Sequence, residues 1–241
     1  MILSQQAFVL KKYTHVFFDL DNTLWDFDRN SAETLYELYD KYKLSELGIK
    51  TPEHFISKYQ ERNEMMWEQY RLGKIDKDML RNKRFELTFW DMGIEAVEKI
   101  SAQLSDDYVN AASKRNHLFP DAYEVLEYLH QKYTLHIITN GFHEAQFVKL
   151  DGTGIRKFFQ NIIISEHVGF KKPDINIFRY AVESAKTKAE ECIMIGDGLE
   201  VDVIGAQRAG WDAIFFNPKK TSHTEVITHE IEKLKELMGI L

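Results

Sequence analysis

Val16-Phe17-Phe18-Asp19-Leu20-Asp21-Asn22-Thr23-Leu24 is an apolar run that stops abruptly on two carboxylates one residue apart. So short a run, led by Val16 and two phenylalanines, reads as a buried strand rather than a helix. In open α/β sheets ligands bind at the C-terminal ends of the strands. Two acids placed there repel each other and lose solvation unless a cation or a reacting phosphate offsets them. The same Asp-Asn-Thr segment also suits a turn that merely caps the next helix, so the pair takes its meaning from its company.

Three further strand ends supply that company. Leu135-His136-Ile137-Ile138-Thr139-Asn140-Gly141 closes on a hydroxyl, an amide and a glycine. Val168-Gly169-Phe170-Lys171-Lys172-Pro173-Asp174 sets a lysine directly before a proline that reads as a helix start. Cys192-Ile193-Met194-Ile195-Gly196-Asp197 ends a buried strand in Gly-Asp, and Asp202 follows five residues later. Each alone has a backbone explanation, because strand-to-helix loops favour Gly, Asp, Asn and Thr. Four in this order, on successive strands, point to one site.

Organisation along the chain agrees. Residues 25–116 carry helical periodicity without a strand. Ser31 reads as one helix start, Thr51-Pro52-Glu53 as another, with a cap, proline at the first helical position and an acid in the first turn. Gly73 ends the helix that carries Trp67 and Tyr70. From Phe119 onward helices near 121–131, 143–150, 174–186 and 201–209 alternate with strands at 135–139, 161–165, 192–196 and 213–217. This alternation predicts a Rossmann-like parallel sheet flanked by helices. The expected core is discontinuous, residues 1–24 with 117–241, and residues 25–116 form an all-helical insertion after the first strand.

Composition narrows the function. The 241 residues are 44% hydrophobic and 29% charged, ordinary for a globular protein. A formal net charge of −7 without long basic runs argues against a nucleic-acid duplex or an anionic membrane as partner. Cys192 is the one cysteine, so no disulfide framework exists and a reducing compartment is expected. Residues 1–10 lack a basic leader and a small-residue cleavage site, and no stretch approaches the roughly 20 apolar residues of a membrane span. A cytoplasmic protein is the expectation.

The four motifs together resemble the haloacid dehalogenase-like (HAD) superfamily, most of whose members are magnesium-dependent phosphohydrolases. The resemblance covers essentially the whole chain and makes the helical insertion a cap. It implies that Asp19 is the nucleophile of an aspartyl-phosphate mechanism and Asp21 the acid/base, whose backbone carbonyl also binds the metal. Asp19, Asp197 and Asp202 complete the Mg²⁺ set, which suits an ion that prefers oxygen ligands. Thr139, with the backbone N–H groups of Asn140 and Gly141, matches the phosphate-binding motif, and Lys172 offsets charge on Asp19 and the phosphoryl group. Lys171 reads as a solvated charge, Glu200 as a surface acid and Thr23 as a residue that fixes the loop. Gly198 stands where relatives often carry Ser or Thr, and Asp121 where many carry Gly.

A closer likeness concerns substrate. Trp67-Glu68-Gln69-Tyr70-Arg71-Leu72-Gly73-Lys74-Ile75, Ile138-Thr139-Asn140-Gly141-Phe142 and Ile164-Ser165-Glu166-His167-Val168-Gly169 resemble the branch that acts on pyrimidine nucleoside 5′-monophosphates. The expected substrate is therefore a small phosphorylated metabolite, a nucleoside monophosphate. Trp67, Tyr70 and Phe142 have the chemistry to stack a base, but helical spacing favours core packing for Trp67 and Tyr70. A phosphomutase or sugar-phosphate phosphatase would share every motif. A dehalogenase would need neither Asp21 nor the Asp197/Asp202 pair, and a non-catalytic binding protein would not need the intact acids.

Overall fold

The computed structural model describes residues 13–95 and 97–241. The expectation drawn from residues 1–10 lies outside the described residues. Along the chain, strand β1 (His15–Phe18) is followed by helices α1 (Phe27–Lys41), α2 (Pro52–Arg71), α3 (Lys77–Asp91), α4 (Glu98–Ala112) and α5 (Ala122–His130). Then come β2 (Thr134–Thr139), α6 (His143–Gly152), β3 (Phe159–Ile164), α7 (Ser165–Val168), α8 (Ile175–Ala185) and β4 (Cys192–Gly196). A widened π-type turn at Leu199–Ile204 leads into α9 (Gly205–Arg208), β5 (Asp212–Phe216), β6 (His229–Ile231) and α10 (Leu237–Ile240).

The six strands form one sheet in the order β3-β2-β1-β4-β5-β6, every neighbour parallel. This is the doubly wound order expected of the alternating pattern. Val16, Phe17 and Phe18 are all completely buried, so both faces of β1 are covered. That explains a continuous apolar run where a half-exposed strand would alternate. On one face Phe17, Ile138, Met194 and Phe215 pack with Ile177, Phe178 and Ala181 of α8. Each of these side chains larger than alanine contributes about 1.5–3 kcal/mol by leaving water.

The chain divides into two compact units. One comprises the described part of Met1–Leu24 with Pro120–Asn140 and Lys157–Leu241; the other comprises Trp25–Phe119 and Gly141–Arg156. The first unit contains the sheet, and the second contains α1–α4 together with α6. Within the helical unit, Leu35, Tyr39, Phe55, Tyr59, Phe85, Phe89, Leu104 and Tyr108 form one core. Its chain ends are tied together: Trp25 bridges Leu118, and Asn30 Nδ2 donates to the Asp26 and His117 carbonyls at 2.7 and 2.8 Å. A buried asparagine thereby satisfies backbone groups that the junction would otherwise leave unpaired.

Several local expectations change. The first helix begins at Phe27, capped by Asp26, which accepts from Arg29 N at 3.1 Å. Ser31 is instead buried inside α1, where it accepts from Tyr108 Oη at 2.8 Å. The Thr51 cap stands, with Oγ1 accepting from His54 N at 3.3 Å and Pro52 leading α2. At Lys172-Pro173 the proline precedes the helix, and Asp174 caps α8 by accepting from Asn176 N at 2.9 Å. Strand β6 had no sequence signal, because only the last of its three residues is buried. Among the described residues no helix is long and apolar enough to cross a membrane.

Candidate active site

The site lies in the sheet unit, where β1 and β4 end side by side. Register pairs Phe18 with Ile195, and Asp19 N donates to Ile195 O at 2.9 Å. The chains beyond these strands carry Asp19 and Asp197. Thr23 Oγ1 locks them: it accepts from Asp197 N at 3.0 Å and lies 3.2 Å from Asp197 Oδ1 as a donor. Thr23 thus joins the loop after β1 to the loop after β4.

Lys172 is the centre of the cluster. Its Nζ donates to Asp19 Oδ1 at 2.6 Å and to the Ile138 carbonyl at 2.8 Å. It also forms an ion pair with Asp202 Oδ1 at 2.6 Å, off the line of a hydrogen bond. The lysine is 1% exposed. Its backbone is clamped as well, with Lys172 N donating to Asn140 Oδ1 and Asn140 Nδ2 donating to Lys172 O, each at 2.9 Å. The ammonium is therefore held at both ends of its side chain.

Asp202 reaches the cluster because two glycines make room. A Cβ on Gly196 would lie 2.3 Å from Asp202 Oδ2, and one on Gly198 would lie 2.9 Å from it. Gly198 N donates to that same oxygen at 2.9 Å. Gly198 therefore seats Asp202 against the loop, whereas the resemblance to the family marks it only as a departure.

Electrostatics follow from burial. Desolvation pushes the Asp19 carboxyl up, to about 7, against the opposing field of Lys172 and with repulsion from Asp202 and Asp21. Desolvation also holds Asp197 well above the carboxylate range, with Asp19 and Asp202 repelling it and Lys172 and Thr23 opposing the rise. Burial disfavours the Lys172 ammonium, but Asp19 and Asp202 outweigh it and hold the amine protonated above its ordinary range. One ammonium does not neutralise three clustered carboxylates, of which Asp19 and Asp202 are buried and Asp197 is partly exposed. One oxygen each of Asp19, Asp197 and Asp202 lies within 4.8 Å of the others, an oxygen-only set that fits a hard divalent cation.

The remaining expected residues are placed as follows. Asp21 is partly exposed and near enough to Asp19 to raise its pKa. Thr139 is buried at the end of β2 and Asn140 follows it, while the chain passes into the helical unit at Gly141. Lys171 is partly exposed, and Glu200 pairs with Arg208 at 2.7 Å on the surface. The Asn140 side chain, the Ile138 carbonyl and Gly196 went unassigned from sequence. Only Gly196 had a signal there, as the glycine directly before Asp197.

A family model described as haloacid dehalogenase-like hydrolase matches residues 13–210. The chain belongs to the haloacid dehalogenase-like hydrolases. This bears out the family expected from the four motifs, and the parallel sheet bears out the expected fold. The HAD hydrolase YfnB of Bacillus subtilis (strain 168) is 33% identical over 235 residues, covering 96% of this chain and 97% of YfnB. The pyrimidine 5′-nucleotidase YjjG of Escherichia coli (strain K12) is 32% identical over 233 residues, covering 95% of this chain and 98% of YjjG. The pyrimidine 5′-nucleotidase PynA of Streptococcus pneumoniae (strain R6) is 30% identical over 233 residues and covers 95% of each chain. The crystal structure of YfnB bound to magnesium matches this HAD protein with a TM-score of 0.86 at 31% identity, covering 95% of this chain and 98% of that one.

Within the helical unit, the three aromatics named for base stacking pack on one another. Trp67 stacks on Phe142 with centroids 5.1 Å apart, and Tyr70 meets the Phe142 edge at 5.8 Å. Tyr70 and Phe142 are 6% and 5% exposed, whereas Trp67 is partly exposed. Tyr70 and Phe142 are core residues, and Trp67 retains accessible ring surface.

Proposed function

We propose that this HAD hydrolase is a Mg²⁺-dependent phosphatase of small phosphate monoesters, with pyrimidine nucleoside 5′-monophosphates as its preferred substrates. The observation that carries the reading is Lys172 bridging Asp19 and Asp202 while Asp197 completes a three-carboxylate oxygen set. The relatives YjjG and PynA, both pyrimidine 5′-nucleotidases, support the substrate class.

In this reading an Asp19 oxygen attacks phosphorus and forms an aspartyl-phosphate. Asp21 gives its proton to the departing oxygen, then as a carboxylate takes a proton from water. That water attacks the same phosphorus, which releases phosphate and returns Asp19. Thr139 and the N–H groups of Asn140 and Gly141 hold the phosphoryl oxygens, and Lys172 offsets their charge. Asp19, Asp197, Asp202 and the Asp21 carbonyl are the assigned Mg²⁺ ligands, and the ion when bound neutralises charge on the transferring group. The helical insertion, the proposed cap, is assigned the choice among monoesters. A reducing compartment, the cytoplasm, suits a chain whose single thiol is buried and pushed up to about 12 by desolvation.

The test is phosphate release from a panel of nucleoside monophosphates, sugar phosphates and p-nitrophenyl phosphate, with Mg²⁺ and after chelation. Mg²⁺-dependent release with pyrimidine monophosphates leading is expected. Full activity after chelation, or in Asp19→Asn, overturns the mechanism; sugar phosphates in the lead overturn the substrate assignment.

A further inference from the structure

The interior of the helical unit contains a cation whose hydrogen-bonding edge lacks an anionic acceptor. Arg84, on α3, is 3% exposed. Three aromatic rings surround its guanidinium, with Cζ 4.9 Å from the Tyr108 centroid, 5.6 Å from Phe85 and 5.7 Å from Tyr59. Ring faces interact with the flat face of a guanidinium, whereas its N–H hydrogens point outward in the plane and need lone pairs there. One in-plane hydrogen bond is present, from Nη1 to Asn63 Oδ1 at 3.0 Å. Nε is buried with no partner, and among the described residues no carboxylate forms an ion pair with Arg84.

The neighbouring groups do not supply the missing charge. Asn63 is neutral and 7% exposed. Tyr59 is completely buried, and its hydroxyl lies beside Arg84 and Tyr108 without a well-aligned hydrogen bond. Desolvation raises the Tyr59 phenol well above its ordinary pKa against the opposing field of Arg84, so it stays a neutral hydroxyl and not a phenolate counter-charge. Tyr108 Oη is already committed to Ser31 Oγ at 2.8 Å. The cluster thus presents a positive charge and an orphaned donor, Arg84 Nε–H, beside neutral hydroxyls, and lacks an anionic acceptor. Buried charges in proteins are paired, and buried donors find acceptors.

We propose that the Nε edge of Arg84 is a binding site for a small oxyanion group, a carboxylate or a phosphate. With Nη1 committed to Asn63, Nε and Nη2 form the side-on fork that donates to two oxygens of such a group in one plane. Tyr59 O–H is the neighbouring neutral donor. The site is independent of the phosphatase reading, since every residue in it belongs to the helical unit.

Crystals of the full chain soaked in sodium formate or sodium phosphate, and compared with chloride-only crystals, test it. In solution, the Arg84 Nε–H resonance, identified by its loss in Arg84→Lys, is followed through formate and phosphate titrations at fixed ionic strength. The expected result is oxyanion density on the Nε edge and a saturable shift of that resonance. Tyr59→Phe should weaken the affinity by roughly 5-fold or more. Response to formate alone assigns the site to carboxylates, and response to phosphate alone assigns it to phosphates. A water on that edge in all crystals, with the resonance unmoved by either anion, overturns the proposal. If Arg84→Lys does not fold, the wild-type soaks still decide between these outcomes.

Discussion

Asp19→Asn should abolish turnover and at the same time stabilise the metal-free protein at alkaline pH. The folded pKa of Asp19 stands at about 7 against an ordinary 3.8. A carboxyl raised in this way contributes stability that is fully present below pH 3.8 and is lost as pH rises through about 7. The gap of about 3 pH units corresponds to about 4 kcal/mol at about 1.4 kcal/mol per unit. Asparagine has the same shape and never ionises, so above pH 7 the variant avoids this loss. In urea unfolding with EDTA, Asp19→Asn should exceed wild type by up to about 4 kcal/mol at pH 8 and by about 2 kcal/mol less at pH 5.5. For a chain of this size the difference at pH 8 is roughly 10 °C in Tm. Mg²⁺ should narrow it by stabilising wild type, whose carboxylates it neutralises. A variant equally less stable than wild type at both pH values would refute the reasoning. It would mean that the Lys172 pairing outweighs the desolvation of Asp19.

Other expectations follow from the same geometry. Asp21→Asn should retain Mg²⁺-dependent stabilisation while steady-state hydrolysis of nucleotide and p-nitrophenyl phosphate both fall, by roughly 100-fold or more; wild-type turnover on both substrates would remove Asp21 from the acid/base role. Tyr70→Ala should cost about 3–5 kcal/mol in denaturant unfolding, because it empties a buried aromatic contact with Phe142. Trp67→Ala, at a partly exposed ring, should cost less stability, and a nucleotide-specific fall of about 10-fold in kcat/KM with p-nitrophenyl phosphate spared would mark it as a base-stacking residue. His136 is buried between His15 and Phe17, and desolvation lowers its pKa to about 3. Its depressed pKa contributes stability that is present above pH 6.5 and lost as pH falls toward 3, so His136→Phe should flatten the acid limb of the stability profile.

Sequence alone determined the fold class and the family and pointed to the acids Asp19, Asp197 and Asp202 that the structure brings together, because each signal is local. A strand buried on both faces must be apolar throughout, so Val16–Phe18 and Cys192–Ile195 identify themselves, and polar residues directly after such strands fall at the sheet's ligand-binding edge. The Thr51-Pro52 cap was legible for the same reason, since its partner, the His54 N–H, lies three residues away. What depends on residues far apart in the chain was decided only by tertiary structure. Asn140 clamps Lys172 across 32 residues, and Thr23 locks Asp197 across 174. Ser31 looked like a cap and became an interior acceptor for Tyr108, 77 residues away, because burial rather than local propensity selected its partner. Arg84 carried no motif at all; its significance arises from the company that α2 and α4 bring to it, aromatic rings around its guanidinium and the neutral amide of Asn63 as its hydrogen-bond acceptor. Periodicity specifies which side of a helix turns inward, but the charge balance of an interior exists only once all its walls are in place.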